Sequence, residues 1–275
     1  MDKVDGHLKI ENCDEVPASR DAFLGGQVTV YQSQDGRHRS GSDAVLLAAS
    51  LPNNLQGPGY DFGCGSGAAG FCLAARCPQV SVTLVDTDET ALALARRGVD
   101  DPQNACFADR LRMTNADLTA PESARVAAGL DRESANFVLC NPPFYAADHV
   151  RTSPNASKSY AHVLGAEGFL PWVKSAASIL RPGGRLALIL PAETLATILE
   201  ALKGRFGGLL IKPLHPYLSK PASRLIIHGF KGRRTALTVL PPHALRRYDQ
   251  AANTDAGYTD QTKAILREAA SLQML

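Results

Sequence analysis

Two short segments carry residue types that could do chemistry together. The first is Asn141-Pro142-Pro143-Phe144, which follows the apolar run 135–139. Consecutive prolines stiffen the backbone and remove two N–H donors. The Asn141 side-chain oxygen and the Pro142 carbonyl then become fixed acceptors facing a pocket. Such a pair suits a planar NH₂ group, whose delocalised lone pair makes it a poor nucleophile. Each acceptor takes one hydrogen and holds the nitrogen for in-line attack on a methyl carbon. The gain is positioning and preorganised dipoles. No strong base is needed before attack, because the product cation sheds its proton easily. Phe144 offers a face on which a base can stack, worth roughly 1–3 kcal/mol. A Pro-rich turn around a buried Phe is the structural alternative.

The second segment is Asp61-Phe62-Gly63-Cys64-Gly65-Ser66-Gly67. Its glycines allow a tight turn and let a ligand approach the backbone. Dinucleotide enzymes use a similar turn, with an acid some 20 residues later for the ribose. Here an acid, Asp61, stands directly before the glycines. It would repel a pyrophosphate but suits the cationic, amino-acid end of S-adenosylmethionine. Asp86, 25 residues on, could accept from both ribose hydroxyls. Asp117 could bind the adenine amino group. The structural alternatives are an N-cap at Asp86 or Asp88 and a turn at Asp117. No metal site is expected. His149 and His162 have no clustered ligands beside them, and the six cysteines form no CxxC pair.

These segments need strand ends to hold them. From residue 58 the pattern alternates. Strands are expected at 59–63, 80–85, 111–115, 135–139, 185–190, 209–214, 224–230 and 235–240. Helices are expected at 68–76, 89–97 (with Gly98 as its C-terminal cap), 167–180 and 192–202. Alternation implies an α/β fold with a mostly parallel sheet and helices on both faces. The last two strands, joined by Lys231-Gly232-Arg233-Arg234, read as an antiparallel hairpin at the edge. In such sheets ligands bind beyond the C-terminal strand ends, where both segments fall. The stretch 145–165 has little apolar periodicity and reads as a functional or disordered loop. Residues 261–275 could form a short docking helix.

The 275 residues are expected to form one domain. It would comprise an extension and helix (1–57), a catalytic core (58–240) and a tail (241–275). No apolar run approaches the roughly 20 residues that span a bilayer, and residues 1–12 are charged, so a cytoplasmic location and no membrane partner are expected. Most cysteines should be small core residues. The net charge is +2, but residues 1–60 carry −3 and residues 181–247 carry +10. A one-signed cluster is a candidate footprint for nucleic acid, or simply a solvated surface.

The two motifs resemble those of class I methyltransferases that modify exocyclic amines. Over roughly residues 22–240 the chain is similar to the bacterial tRNA(Val) adenine-N6 methyltransferase family. Arg39-Ser40-Gly41-Ser42-Asp43, before the Leu-rich helix that starts at Ala44, resembles that family's basic-x-Gly-Thr/Ser-Asp segment. The resemblance implies a Rossmann-like fold with a seven-stranded sheet, S-adenosylmethionine as cofactor, and Arg39, Ser42 and Asp43 helping to close over it. Helix capping is the other reading of Ser42 and Asp43. Phe62 stands where the family usually has Leu.

A tRNA substrate needs cations for its phosphates. The candidates are Arg151, Lys158, Lys212, Lys220, Arg224, Lys231, Arg233 and Arg234. The expected reaction is N6-methylation of an anticodon-loop adenine. Alternatives are guanine N2 in ribosomal RNA, a protein glutamine (usually with Tyr after the prolines), a fold-retaining RNA binder without activity, and a nicotinamide dehydrogenase, against which Asp61 argues. No obligate protein partner is evident.

Overall fold

In this computed structural model, residues 16–35, 39–142, 166–249 and 254–274 are described. The first strands are β1 (Ala18–Phe23) and β2 (Val28–Ser33), followed by helix α1 (Ser42–Ser50). Next come β3 (Gly57–Phe62), α2 (Ala68–Arg76), β4 (Val80–Asp86), α3 (Glu89–Asp100), α4 (Ala105–Ala108) and β5 (Leu111–Asn115). Then follow α5 (Glu122–Ala127), β6 (Ala135–Cys140), α6 (Ala166–Ile179), β7 (Leu180–Pro191), α7 (Leu195–Leu202), β8 (Phe206–His215) and β9 (Arg224–Lys231). The chain ends in β10 (Thr238–Val239), β11 (His243–Ala244), β12 (Arg246–Asp249), β13 (Thr254–Tyr258) and α8 (Asp260–Glu268).

Among the described residues one sheet holds nine strands, in the order β10-β8-β9-β7-β6-β3-β4-β5, with β11 also on β8. Seven are long, as expected, and β10 and β11 have two residues each. Strands β5, β4, β3, β6 and β7 run parallel, and β9 is antiparallel to both β7 and β8. Alternate residues feed opposite faces. Leu186, Leu188 and Leu190 join α6 and α7 in one core, while Ala187 and Ile189 join α1, α2 and α8 in the other. Coverage of both faces explains the unbroken apolar run of this strand.

Three local expectations are corrected. The hairpin of 224–230 with 235–240 does not form. β9 already has β7 and β8 on its two edges, so it has no edge left to pair. Instead the chain after β9 crosses to β8, where β10 pairs in parallel. Gly207 permits this crossing, since a Cβ there would lie 2.1 Å from the Arg233 carbonyl oxygen. The antiparallel pair at this edge is β8 with β9. Gly98 is not a cap either: α3 continues to Asp100, and Gly98 lets the buried Phe71 ring approach, 2.5 Å from a would-be Cβ. Finally, α1 is capped at Gly41 without a side-chain bond, so neither Ser42 nor Asp43 caps it.

The N-terminal hairpin β1–β2 was not anticipated. Arg20 grips Asp101 with two bonds of 2.8 and 3.1 Å, and the Tyr31 hydroxyl donates to the same carboxylate. These hold the Asp101 carboxyl low, at about 2. Buried Asn104 both accepts from Thr29 N–H and donates to Thr29 C=O, replacing a missing strand partner. The C-terminal residues close the same core. Buried Arg76 donates to the carbonyls of Ala48 and Ala269, and the Leu272 N–H donates to Ala49 C=O. Among the described residues no helix is long and apolar enough to cross a membrane.

Gly98→Ala sets two effects against each other. Alanine gains about 1 kcal/mol of helix propensity, but overpacking against a fixed ring costs about 1–3 kcal/mol. With Phe71 fully buried the clash should win, and urea unfolding should show a net loss of about 1 kcal/mol or more.

Candidate active site

Strand register brings the two motifs together. Phe62 is paired with Val85 on one side and Cys140 on the other. The next residues, Gly63, Asp86 and Asn141, therefore leave three adjacent strands at one level. Neighbouring strands are roughly 4.8 Å apart, so the whole group fits one small-molecule site. Asn141 is half-buried and Pro142 is buried. Pro143, Phe144, Arg151 and Lys158 lie outside the described residues, as does the expected loop 145–165.

The glycine turn is fixed from below. Asp61 is buried at the end of β3, and its Oδ2 accepts the Gly70 N–H of α2 at 2.8 Å. Burial pushes the Asp61 carboxyl up to about 7; the Gly70 bond opposes this and the nearby Asp86 charge adds to it. Asp61 thus fixes the loop from within the core. Asp86 Oδ2 accepts the Gly65 N–H at 2.7 Å and its Oδ1 accepts the Asp88 N–H at 3.0 Å. Asp88, not Asp86, caps α3, accepting from Thr90 and Ala91. That leaves Asp86 at the strand end facing the turn.

Gly63, Gly65 and Gly67 all have positive φ, at 64°, 54° and 86°. Their surroundings differ. A Cβ on Gly63 would come within 2.7 Å of the Trp172 ring, and one on Gly67 within 2.9 Å of Phe71. Among the described residues a Cβ on Gly65 would meet nothing within 4 Å. Of the three glycines, Gly65 is therefore the one that the described residues leave uncovered. An open turn beside two acids fits the cationic S-adenosylmethionine better than a pyrophosphate. Asp86, Gly65 and the turn's backbone would hold it.

Trp172 was missed from the sequence. It is the chain's one tryptophan, which was the available signal. From α6 it covers Gly63 and shares an apolar pocket with Phe62, Cys140, Pro142 and Phe169. Asp117 is exposed, and its Oδ1 accepts from both Thr119 N–H and Oγ1 at 2.7 Å, so it is at least a turn residue. Cys64 and Cys140 are buried, and burial raises both thiols well above their ordinary range. Among the described residues no cluster could hold a metal.

The remaining predicted residues divide by place. Asp43 pairs with Arg224 at 2.8 Å, and Arg224 is level with Pro191 at the site end of the sheet. Ser42 begins the same helix. Arg39 donates to Asp21, Ser19 and the Ser33 carbonyl, so it binds the β1–β2 hairpin. Lys220 lies in the turn after β8, also at the site end. Lys212 is buried mid-strand, and desolvation disfavours its charge. Lys231 lies seven residues of strand from Arg224, roughly 24 Å away at the opposite end. It pairs with Glu133 there, and Arg233 and Arg234 follow it. The structure does not bring Lys212, Lys231, Arg233 or Arg234 to the site.

Fold and site together define an S-adenosylmethionine-dependent methyltransferase. Residues 36–210 match the methyltransferase small domain, and the chain belongs to that family. A solved predicted O-methyltransferase from Agrobacterium tumefaciens is 31% identical, with a TM-score of 0.71 over 84% of this chain and 98% of that one. The Thermus thermophilus 16S rRNA N2 G1207 methyltransferase, solved with AdoMet and guanosine, is 21% identical with a TM-score of 0.51. That match covers 78% of this chain and half of the other, and shows the shared fold.

Two outcomes test the turn. Asp61 has a folded-state pKa raised from 3.8 to about 7, so the stability tied to its neutral form is complete below pH 3.8 and lost as pH rises through 7. Thermal melts of the ligand-free protein should show Asp61→Asn gaining on wild type between pH 5 and 8. A constant gap would contradict the buried, neutral acid. Gly65→Ala should cost about 1–2 kcal/mol for its left-handed φ, yet weaken S-adenosylmethionine binding at least tenfold by calorimetry. Gly67→Ala should instead show mainly as a loss of stability.

Proposed function

We propose that this chain transfers a methyl group to an exocyclic amine of a nucleobase in RNA, N6 of an adenine in a tRNA anticodon loop. The observation that carries the reading is the placement of Asn141-Pro142 at the end of β6, directly beside the glycine turn of β3. Asn141 Oδ1 and the Pro142 carbonyl accept the two amine hydrogens. They orient the nitrogen without removing a proton, and an amide side chain is no base. S-adenosylmethionine supplies the electrophilic methyl on its sulfonium. After attack the nitrogen is cationic and releases its proton to water. Trp172 and Pro142 exclude water from one side of the site, and the Phe144 position supplies a ring for stacking. Asp117 would reach the adenine of the cofactor, and Arg39, Ser42 and Asp43 would border it. Arg224 and Lys220 provide cations at the mouth.

The adenine target and the anticodon loop rest on the resemblance of Arg39–Asp43 and the Asn-Pro-Pro-Phe segment. Such a base is already partly unstacked, which lowers the cost of extruding it. The Thermus protein's guanosine keeps guanine N2 as the nearest rival. The Agrobacterium protein's description as an O-methyltransferase names a second acceptor. A hydroxyl would need a base, which the Asn141-Pro142 pair does not provide.

Methyl transfer from labelled S-adenosylmethionine to bulk bacterial tRNA, followed by nucleoside analysis, tests this. N6-methyladenosine is expected from wild type, with a loss of at least 100-fold in Asn141→Ala. Label in N2-methylguanosine, a ribose or phenolic ether, or protein would overturn the substrate and keep the enzyme class. Cofactor binding without transfer to any acceptor would favour a non-catalytic RNA binder.

A further inference from the structure

The basic segment 231–234 is left without a role by the site at the strand ends. It borders an open cleft of about 380 Å³, lined by Arg185, Phe230, Arg233, Thr235 and Thr238 among others. Arg185 and Phe230 are directly opposed across β7 and β9. The Arg185 guanidinium lies 5.0 Å from the Phe230 ring centre and that of Arg233 lies 3.9 Å from it. Two cations thus share one ring and lie within about 9 Å of each other.

Six other arginines, Arg20, Arg39, Arg132, Arg224, Arg246 and Arg247, meet carboxylates, and Arg76, Arg110 and Arg125 donate to main-chain carbonyls. Among the described residues Arg185 and Arg233 have no such partner, and no acid lines the cleft. Arg185 is half-buried, and both its burial and the Arg233 charge work against its ionised form. An anion bound between the two guanidiniums would offset their repulsion. Guanidinium forks suit the planar, bidentate recognition of phosphate, and the two threonines stand beside them.

We infer that this cleft binds a phosphate of the RNA backbone, as an anchor away from the target base. The inference rests on the RNA reading above. Leu188 pairs with Cys140, so Asn141 is level with Ile189, four residues along β7 from Arg185. That is roughly 13 Å of strand, plus the lateral step from β6 to the cleft. An RNA whose base enters at Asn141 spans this within a few nucleotides of flanking backbone. The cleft then contributes affinity without reading sequence.

Binding of bulk tRNA is measured against salt concentration for wild type, Arg233→Gln and the double variant Arg185→Gln/Arg233→Gln. S-adenosylmethionine affinity serves as the check on folding. Arg233 is exposed, so the single variant keeps the test usable if Arg185→Gln disturbs the sheet. The double variant should bind RNA several-fold more weakly, with the slope of log K against log salt shallower by about one, and Arg233→Gln should move the same way. Wild type and variants binding RNA with equal affinity and slope would overturn the cleft and leave the RNA reading standing. No RNA binding by wild type would overturn the RNA reading and the inference with it. Inorganic phosphate bound by wild type and lost in Arg233→Gln, with RNA affinity unchanged, would overturn the RNA anchor and assign the cleft to a free anion.

Discussion

The Asp61 carboxylate, bonded to the Gly70 N–H beneath the glycine turn, is the contact on which the site depends. It ties the end of β3 to the first turn of α2 and sets the height of everything between. A buried acid is costly unless it is hydrogen-bonded or neutral, and here it is bonded and its ionisation is suppressed by burial. Asp86 completes the arrangement from the next strand by holding the Gly65 N–H. With the turn held at both ends, its three glycines keep left-handed conformations that other residues would resist. Trp172 packs on the first glycine and Phe71 on the last, while no described residue covers the middle one.

The parallel sheet converts this local fixture into a reaction site. β3 has parallel neighbours on both sides, and its last residue is flanked by Val85 and Cys140. The glycine turn and Asn141-Pro142 therefore emerge side by side, although 80 residues separate Asp61 from Asn141. Precision of this kind comes from backbone pairing. It is the geometry that positional catalysis requires.

The β3-to-β6 half was legible in the sequence because its signals are local and agree: branched residues in strands, a glycine turn, and an acid at or just after the ends of β3, β4 and β5. What escaped was set by distant partners. β1 is largely polar and mixed in burial, and its place depends on Asp101 and Asn104, some 70 to 80 residues away. Gly98 looked like a helix end because glycine often is one, whereas Phe71 from another helix decides its role. The cations of residues 212–234 looked like one patch. Burial removes Lys212, and the direction of β9 carries Lys231 to the far end from Arg224. Asn141 and Pro142 were readable as chemistry, but the pocket that Trp172 shares with Pro142 was not, since a lone tryptophan flags itself without a period to say where it packs.

The closure of the core by the last residues has a consequence for the order of assembly. Arg76 awaits the Ala269 carbonyl, Ala49 awaits Leu272, and Ile265 and Leu272 are buried against residues from the first quarter of the chain. During synthesis the strands and helices that carry the site are made long before these partners exist. The part of α1 that α8 covers stays open until those residues have been made, so a chain cut short before Ile265 leaves that part of its core exposed.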